Sequence, residues 1–154
     1  MEINEKNGVP CSNADTVRLY QSIYQNAQLG MGSAAKLLSY CANDKLTEIL
    51  TGQQRGYTAI LRDAANSLAL SGIRPVGLKA AEKIKTCLVI HCATANDCDH
   101  SHIAALMIMG TTKRCIVGAK QKRLYTCASD NSQALMERLL RFQDASCRTL
   151  REFL

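Results

Sequence analysis

Apolar side chains recur every three or four residues along most of the chain, which is the spacing of one face of an α-helix. The clearest stripe lies between about Ala14 and Cys41 and alternates threes and fours without a break: Val17, Tyr20, Tyr24, Ala27, Met31, Ala34, Leu38, Cys41. A second stripe runs from about Lys45 to Leu70, and the last begins after residues 129–131 and runs to the C-terminus. We therefore predict a long amphipathic helix over each of these three segments.

The middle of the chain, from Leu78 to about Cys127, is also helical in pattern but too long for one helix of a compact bundle. The polar run at residues 96–99 offers both a break and a new N-cap. We therefore predict a short helix over residues 78–92 and a long one over residues 98–126.

The lengths of the connections predict how these helices are arranged. The first two must be antiparallel, because only two or three residues around Asn43 separate them. Residues 71–97 are enough to travel the length of the bundle and to start the third long helix parallel to the second. This predicts an all-α, ferritin-like four-helix bundle with a long crossover between the second and third helices. Residues 14–154 would form this single domain, after an N-terminal tail at residues 1–13.

Composition narrows the class of protein. The chain has two prolines, no tryptophan, and no apolar stretch of the length that a membrane span needs. The N-terminus is polar, with no export signal, so we expect a cytoplasmic protein that does not bind membranes. The net charge of +6 includes a basic cluster in a stretch without acids, residues 100–129: Lys113, Arg114, Lys120, Lys122, Arg123. We interpret this cluster as a solvated helix end and expect no nucleic-acid binding, because Tyr125 is the one aromatic residue nearby that could stack on bases.

Eight cysteines are spread over the chain: Cys11, Cys41, Cys87, Cys92, Cys98, Cys115, Cys127, Cys147. None forms a Cys-x-x-Cys pair, and most lie within apolar helical patterns. We expect reduced thiols that pack as small hydrophobic groups, with no disulfide within the folded chain.

Several short segments resemble one family. They are YQNAQLG at residues 24–30, SHIAALMIMG at residues 101–110 and LLRFQ at residues 139–143. The chain resembles uncharacterised bacterial proteins of the ferritin-like class, a domain of unknown function whose members read YKNAEMG, SHIAEMMIQG and LLKFE. The resemblance covers about residues 16 to 154 and implies the crossover bundle, but no established activity.

In active ferritin-like proteins, inward carboxylates and histidines hold two metal ions. The resemblance places acids at four positions that are neutral in this chain: Gln28, Gly56, Ala105, Gln143. It therefore implies a degenerate dinuclear site without metal or cofactor. We predict that the amides of Gln28 and Gln143 both point into the bundle and bond to each other, to tyrosine hydroxyls, to His102 or to a trapped water.

The remaining groups that could bind a metal are Cys98, His102 and Asp144. Cys98 and His102 would share a face only if the helix has already begun at Cys98. The simpler interpretation is that Asp97 or Asp99 caps the helix while His102 makes a buried hydrogen bond.

We therefore predict a non-enzymatic helical bundle that serves as a structural or interaction module, with an unidentified protein partner and a homodimer as its possible assemblies. One alternative is a metal-binding or redox protein of the same class, using iron, manganese or zinc. Another is a carrier of a small ligand, with an internal void beside Gly56 and Ala105.

Overall fold

Five α-helices and one 3-10 turn make up most of residues 13–154, the part of the chain that this computed structural model describes. The helices are α1 (Asn13–Leu38), α2 (Asp44–Leu70), α3 (Ala80–Thr94), α4 (His100–Leu124) and α5 (Asp130–Leu150), followed by the turn Arg151–Phe153. No strand occurs among the described residues, so the all-α prediction is confirmed. The proposed N-terminal tail lies outside them except for Asn13, which is the first residue of α1.

The helices begin where short polar side chains can satisfy their free backbone N–H groups. The side chain of Asn43 accepts a hydrogen bond from the N–H of Leu46 at 2.9 Å, and Asp99 accepts one from Ser101 at 3.2 Å. Residues 95–99 interrupt the helical structure between α3 and α4, close to the predicted position. Gly72 ends α2 with a φ of +70°, a conformation that glycine adopts without steric cost.

Helix α1 is central, since it contacts each of the other four helices. Residues 39–43 alone connect α1 to α2, and Gly30 packs against Tyr57, so the two helices are antiparallel. Asn26 bonds to Arg114 while Thr16 bonds to Ser129, so α4 also runs antiparallel to α1.

Helix α5 lies against α4, and its residue pairs run in opposite order. The ammonium of Lys122 contacts Glu137 near the end of α4, whereas Thr112 meets Cys147 two to three turns earlier in α4. The two helices are therefore antiparallel.

The core is built mainly from α1, α2, α4 and α5. Its fully buried side chains include Leu19, Ile23, Leu50, Tyr57 and Met136. Helix α3 buries only Ile90 and Thr94, and it packs on the outside of α1. Among the described residues, no helix combines the length and the hydropathy that a membrane span requires.

Candidate functional site

A layer of polar side chains crosses the middle of this apolar core. It contains Asn26 from α1, Gln53 and Tyr57 from α2, Arg114 from α4 and Gln143 from α5, all of them buried. Most buried polar groups in proteins are hydrogen-bonded, so a layer of this kind needs an account of its partners.

The cation in this layer is Arg114, whose residue surface is only 6% exposed. Its Nη2 donates to Thr111 Oγ1 at 2.8 Å and to the Tyr57 hydroxyl at 3.4 Å. The guanidinium carbon lies 5.6 Å from the centre of the Tyr57 ring, within the range of a cation–π contact. Its Nε has no hydrogen-bond partner, and no carboxylate of the described residues pairs with the guanidinium. Arg114 is therefore a buried charge whose hydrogen-bond partners are neutral.

Two of the three amides of the layer are joined to each other and to α4. Gln143 Nε2 donates to Asn26 Oδ1 at 2.8 Å, and Asn26 Nδ2 donates to the carbonyl of Arg114 at 3.0 Å. Gln143 Oε1 and both side-chain polar atoms of Gln53 remain without partners among the described residues. The layer links α1, α4 and α5, but its hydrogen bonding is incomplete.

This layer does not fit the dinuclear metal centre of ferritin-like proteins. Iron and manganese require anionic oxygen ligands, and none of the five side chains of the layer is a carboxylate. The guanidinium of Arg114 is positively charged and buried, so it would repel a divalent cation at the same level. The neutral residues and the cation together oppose metal binding there.

The prediction for the two glutamines is correct for the direction of Gln143 but not for its partner, and it is wrong for Gln28. Gln143 is fully buried and points into the bundle, although its partner, Asn26, was not among those we expected. Gln28 is only half-buried, and its Oε1 accepts the backbone N–H of Leu78 at 2.7 Å in the segment before α3. Gln28 therefore holds the α2–α3 connection against α1 and does not enter the core.

The prediction of a void beside Gly56 and Ala105 is also wrong, at least on the side of Gly56. A Cβ on Gly56 would overlap the ring of Phe142, so this ring already fills the space. Ala105 is half-exposed and lies nine residues before Arg114, about 13 Å along the helix axis. The four positions that the family resemblance suggested are thus not brought to one level of the bundle.

The alternative metal ligands each have another partner and do not form a group of three. Cys98 precedes α4 and donates its thiol to the carbonyl of Thr94, while His102 Nε2 donates to the carbonyl of Ala93 at 2.8 Å. Asp144 is exposed and pairs with Arg148 at 3.1 Å on α5. The described residues contain no group of three or more His, Cys, Asp or Glu that could hold a metal ion.

The cysteines of residues 13–154 are all free thiols, while Cys11 lies outside the described residues. One of them is Cys115, whose pKa is raised by burial and by the neighbouring Cys147 and Asp144. A raised pKa keeps a thiol protonated and unreactive near neutral pH. Cys115 is therefore a poor candidate for a nucleophile.

Sequence reasoning missed Arg114, which we placed in a solvated basic cluster. A signal was present in the spacing, because Met107, Thr111, Arg114 and Gly118 follow one another by four, three and four residues. These residues are all buried on the same face of α4. The high charge of the surrounding stretch masked this pattern.

A cleft of about 560 Å³ opens between α1, α3 and α4, and Arg114 forms part of its wall. Pockets that bind small ligands usually have volumes of about 300–1,000 Å³. Most of the wall is apolar and comes from Leu29, Leu37, Ile90, Leu106 and Met107. The same buried arginine thus faces both the polar layer and an accessible cleft.

Comparison with known proteins supports the fold and little else. No protein-family model and no curated protein matches the sequence. The fold is similar to that of a crystallised DUF305 fragment from Deinococcus radiodurans, with a TM-score of 0.71 and 13% identity over 94% of this chain and 97% of that chain. DUF305 is a domain of unknown function. At this identity the similarity shows a shared helical architecture only.

Proposed function

We propose that this protein is a non-enzymatic, ferritin-like bundle without a dinuclear metal centre, in which a polar layer around Arg114 crosses the core, and that it acts as a binding module. The helix directions support the ferritin-like part of the proposal. Since α2 and α4 are both antiparallel to α1, they are parallel to each other. Parallel helices require a connection that crosses the length of the bundle, and residues 71–99, including α3, are available for it.

The buried guanidinium is the observation that carries the metal-free part of the proposal. An uncompensated buried charge costs several kcal/mol, so a metal site would place a second and larger cost at the same level. The neighbours of Arg114 are a hydroxyl, a phenol and amides, none of which would neutralise both cations.

Elemental analysis tests this proposal. The full chain would be expressed in medium supplemented with iron, manganese and zinc, purified without chelators and analysed for metal per chain. We expect well below one ion per chain for each metal. Two iron or manganese ions per chain would overturn the proposal in favour of the metalloprotein alternative, and one zinc per chain would favour a Cys/His site.

A variant shows whether the charge of the polar layer is what prevents metal binding. In the double variant Arg114→Glu, Gln143→Glu the cation is replaced and two carboxylates face the same level. We expect this variant to gain affinity for manganese, measured by calorimetry, whereas Arg62→Glu, Gln54→Glu on the surface of α2 should not.

The homodimer, the unidentified protein partner and the cytoplasmic location stay predictions. Light scattering at two concentrations checks the homodimer.

A further inference from the structure

The cleft between α1, α3 and α4 has two chemically different ends. Helices α1 and α3 run in the same direction, since Gln28 bonds to Leu78 and Tyr40 bonds to His91. Helix α4 runs in the opposite direction, so Arg114 lies near Leu29 at one end. The other end is formed by the apolar side chains Leu37, Ile90, Leu106 and Met107.

The polar end carries an excess of positive charge. Lys113 lies beside Arg114 at this end, and Lys85 lies on the wall formed by α3. The one carboxylate in the wall belongs to Glu82, which accepts the backbone N–H of Lys79 at 3.0 Å and so is engaged at the N-terminus of α3. The electrostatic preference of this end is therefore for an anion.

Arg114 is built to present its guanidinium to the cleft. Its Nη2 is fixed by Thr111 and Tyr57, while Nε and Nη1 donate no hydrogen bond to another described residue. A Cβ on the cleft residue Gly110 would lie 3.2 Å from Nη1, so glycine leaves room beside this nitrogen. A carboxylate in that gap would supply the charge-assisted hydrogen bonds that the buried guanidinium lacks.

We propose that this cleft binds an unbranched, medium-chain carboxylic acid, with its carboxylate at Arg114 and its alkyl chain along the apolar wall towards Leu37. This inference deepens the proposed function by naming the class of ligand. The cleft extends along α1 from Leu29 to Leu37, which is eight helical rises or about 12 Å. That length accommodates an extended alkyl chain of medium length but not the long chain of a membrane lipid.

Calorimetric titration of the folded, full-length chain with decanoate tests the proposal. Decanol supplies the chain without the charge, and acetate supplies the charge without the chain. We expect decanoate to bind at least about tenfold more tightly than decanol, because a charge-assisted hydrogen bond in a desolvated site contributes that much. Acetate should show no measurable binding. Within a series from butanoate to decanoate, each methylene should raise the affinity about fourfold until the cleft is filled.

Three variants locate the site. Arg114→Met should reduce decanoate binding to the level of decanol, while the matched surface control Arg62→Met should bind as the wild type does. Gly110→Leu keeps the arginine but fills the space beside Nη1, so it should weaken decanoate at least tenfold. If Arg114→Met does not fold, Gly110→Leu still decides between the outcomes.

Equal affinities for decanoate and decanol, unchanged binding in Gly110→Leu, or no binding of decanoate would each overturn the inference. Repeating the titration after dialysis against a chelator separates it from the proposed function. Binding that disappears with the chelator would mean that a metal holds the carboxylate, and both proposals would fail. If the protein binds neither metal nor decanoate, the proposal of a carboxylic-acid ligand fails, and the proposal of a metal-free bundle still holds.

Discussion

Helix α1 is packed in two different ways on its two sides. Towards α2 it makes close contacts, with the Tyr57 ring so near Gly30 that no side chain would fit between them. Towards α3 the packing is open, and the apolar side chains Ile84, Leu88 and Val89 of α3 are 55–59% exposed. Local stability follows the number of buried apolar contacts, so the two sides differ in how easily they open. The closed side, towards α2, stabilises the fold, and the open side, towards α3, forms the cleft.

The largest effect on stability is expected from replacing one isoleucine on each side. Ile60 in α2 is 2% exposed and Ile90 in α3 is 8% exposed, so both are buried. Because Ile60 lies within the well-packed side, we expect Ile60→Ala to lower the free energy of unfolding by about 2–5 kcal/mol. Ile90→Ala should lower it clearly less, since the loosely held α3 can readjust. Urea denaturation measures both variants, and equal losses would contradict the difference between the two sides.

Native-state hydrogen exchange extends this test to the backbone. We expect the amides of α3 to exchange through a local opening whose free energy lies well below that of global unfolding. The central amides of α1 and α2 should exchange only on global unfolding. Exchange of α3 at the global free energy would show that α3 belongs to the closed core.

Two glycines of α1 allow a direct comparison of close and open packing. A Cβ on Gly30 would lie 2.5 Å from the buried ring of Tyr57, whereas a Cβ on Gly32 would contact nothing within 4 Å. We expect Gly30→Ala to destabilise the protein by about 1–3 kcal/mol through overpacking. Gly32→Ala should stabilise it by up to about 1 kcal/mol, because alanine is the better helix former. Thermal denaturation of both variants gives the sign, and stabilisation by Gly30→Ala would contradict the close contact.

Sequence reasoning placed the helices well because their limits are set locally. The predicted start of the second helix differs from the observed one by a single residue, Lys45 against Asp44, and the neighbouring Asn43 acts as the cap. The break before α4 likewise depends on a short-range hydrogen bond, which the backbone N–H of Ser101 donates to the side chain of Asp99. Periodicity and caps carry this information within a few residues of sequence.

The candidate site was harder to predict because it depends on how each helix is rotated in the bundle. Asn26 and Gln28 are two residues apart, which is about 200° around an α-helix. Only one of them can face the core, and the structure places Asn26 there. The burial of Arg114 is equally a tertiary effect, because a neutral environment for a cation cannot be deduced from a basic stretch of sequence.

Arg114 itself gives a smaller change of stability. The guanidinium is buried without an anionic partner, and an apolar residue of similar length is often tolerated equally well or better at such positions. We expect Arg114→Met to leave the free energy of unfolding unchanged or to raise it by up to about 2 kcal/mol. A loss of more than about 3 kcal/mol, measured by urea denaturation, would show that the cation has a stabilising partner.

The smallest expected effect concerns the exposed pair of Lys122 and Glu137, on the α4–α5 contact. The hydrogen bond and charge of Lys122 hold the pKa of Glu137 below its ordinary value. A lowered native pKa stabilises the fold above the pKa of the unfolded chain, and this contribution disappears as the pH falls through the native pKa. Because both side chains are more than a third exposed, we expect no more than about 0.5 kcal/mol at neutral pH, and less in high salt. Comparing wild type with Glu137→Gln in urea between neutral and acidic pH measures this, with Glu48→Gln as the unpaired surface control. A difference that grows as the pH falls would contradict the sign.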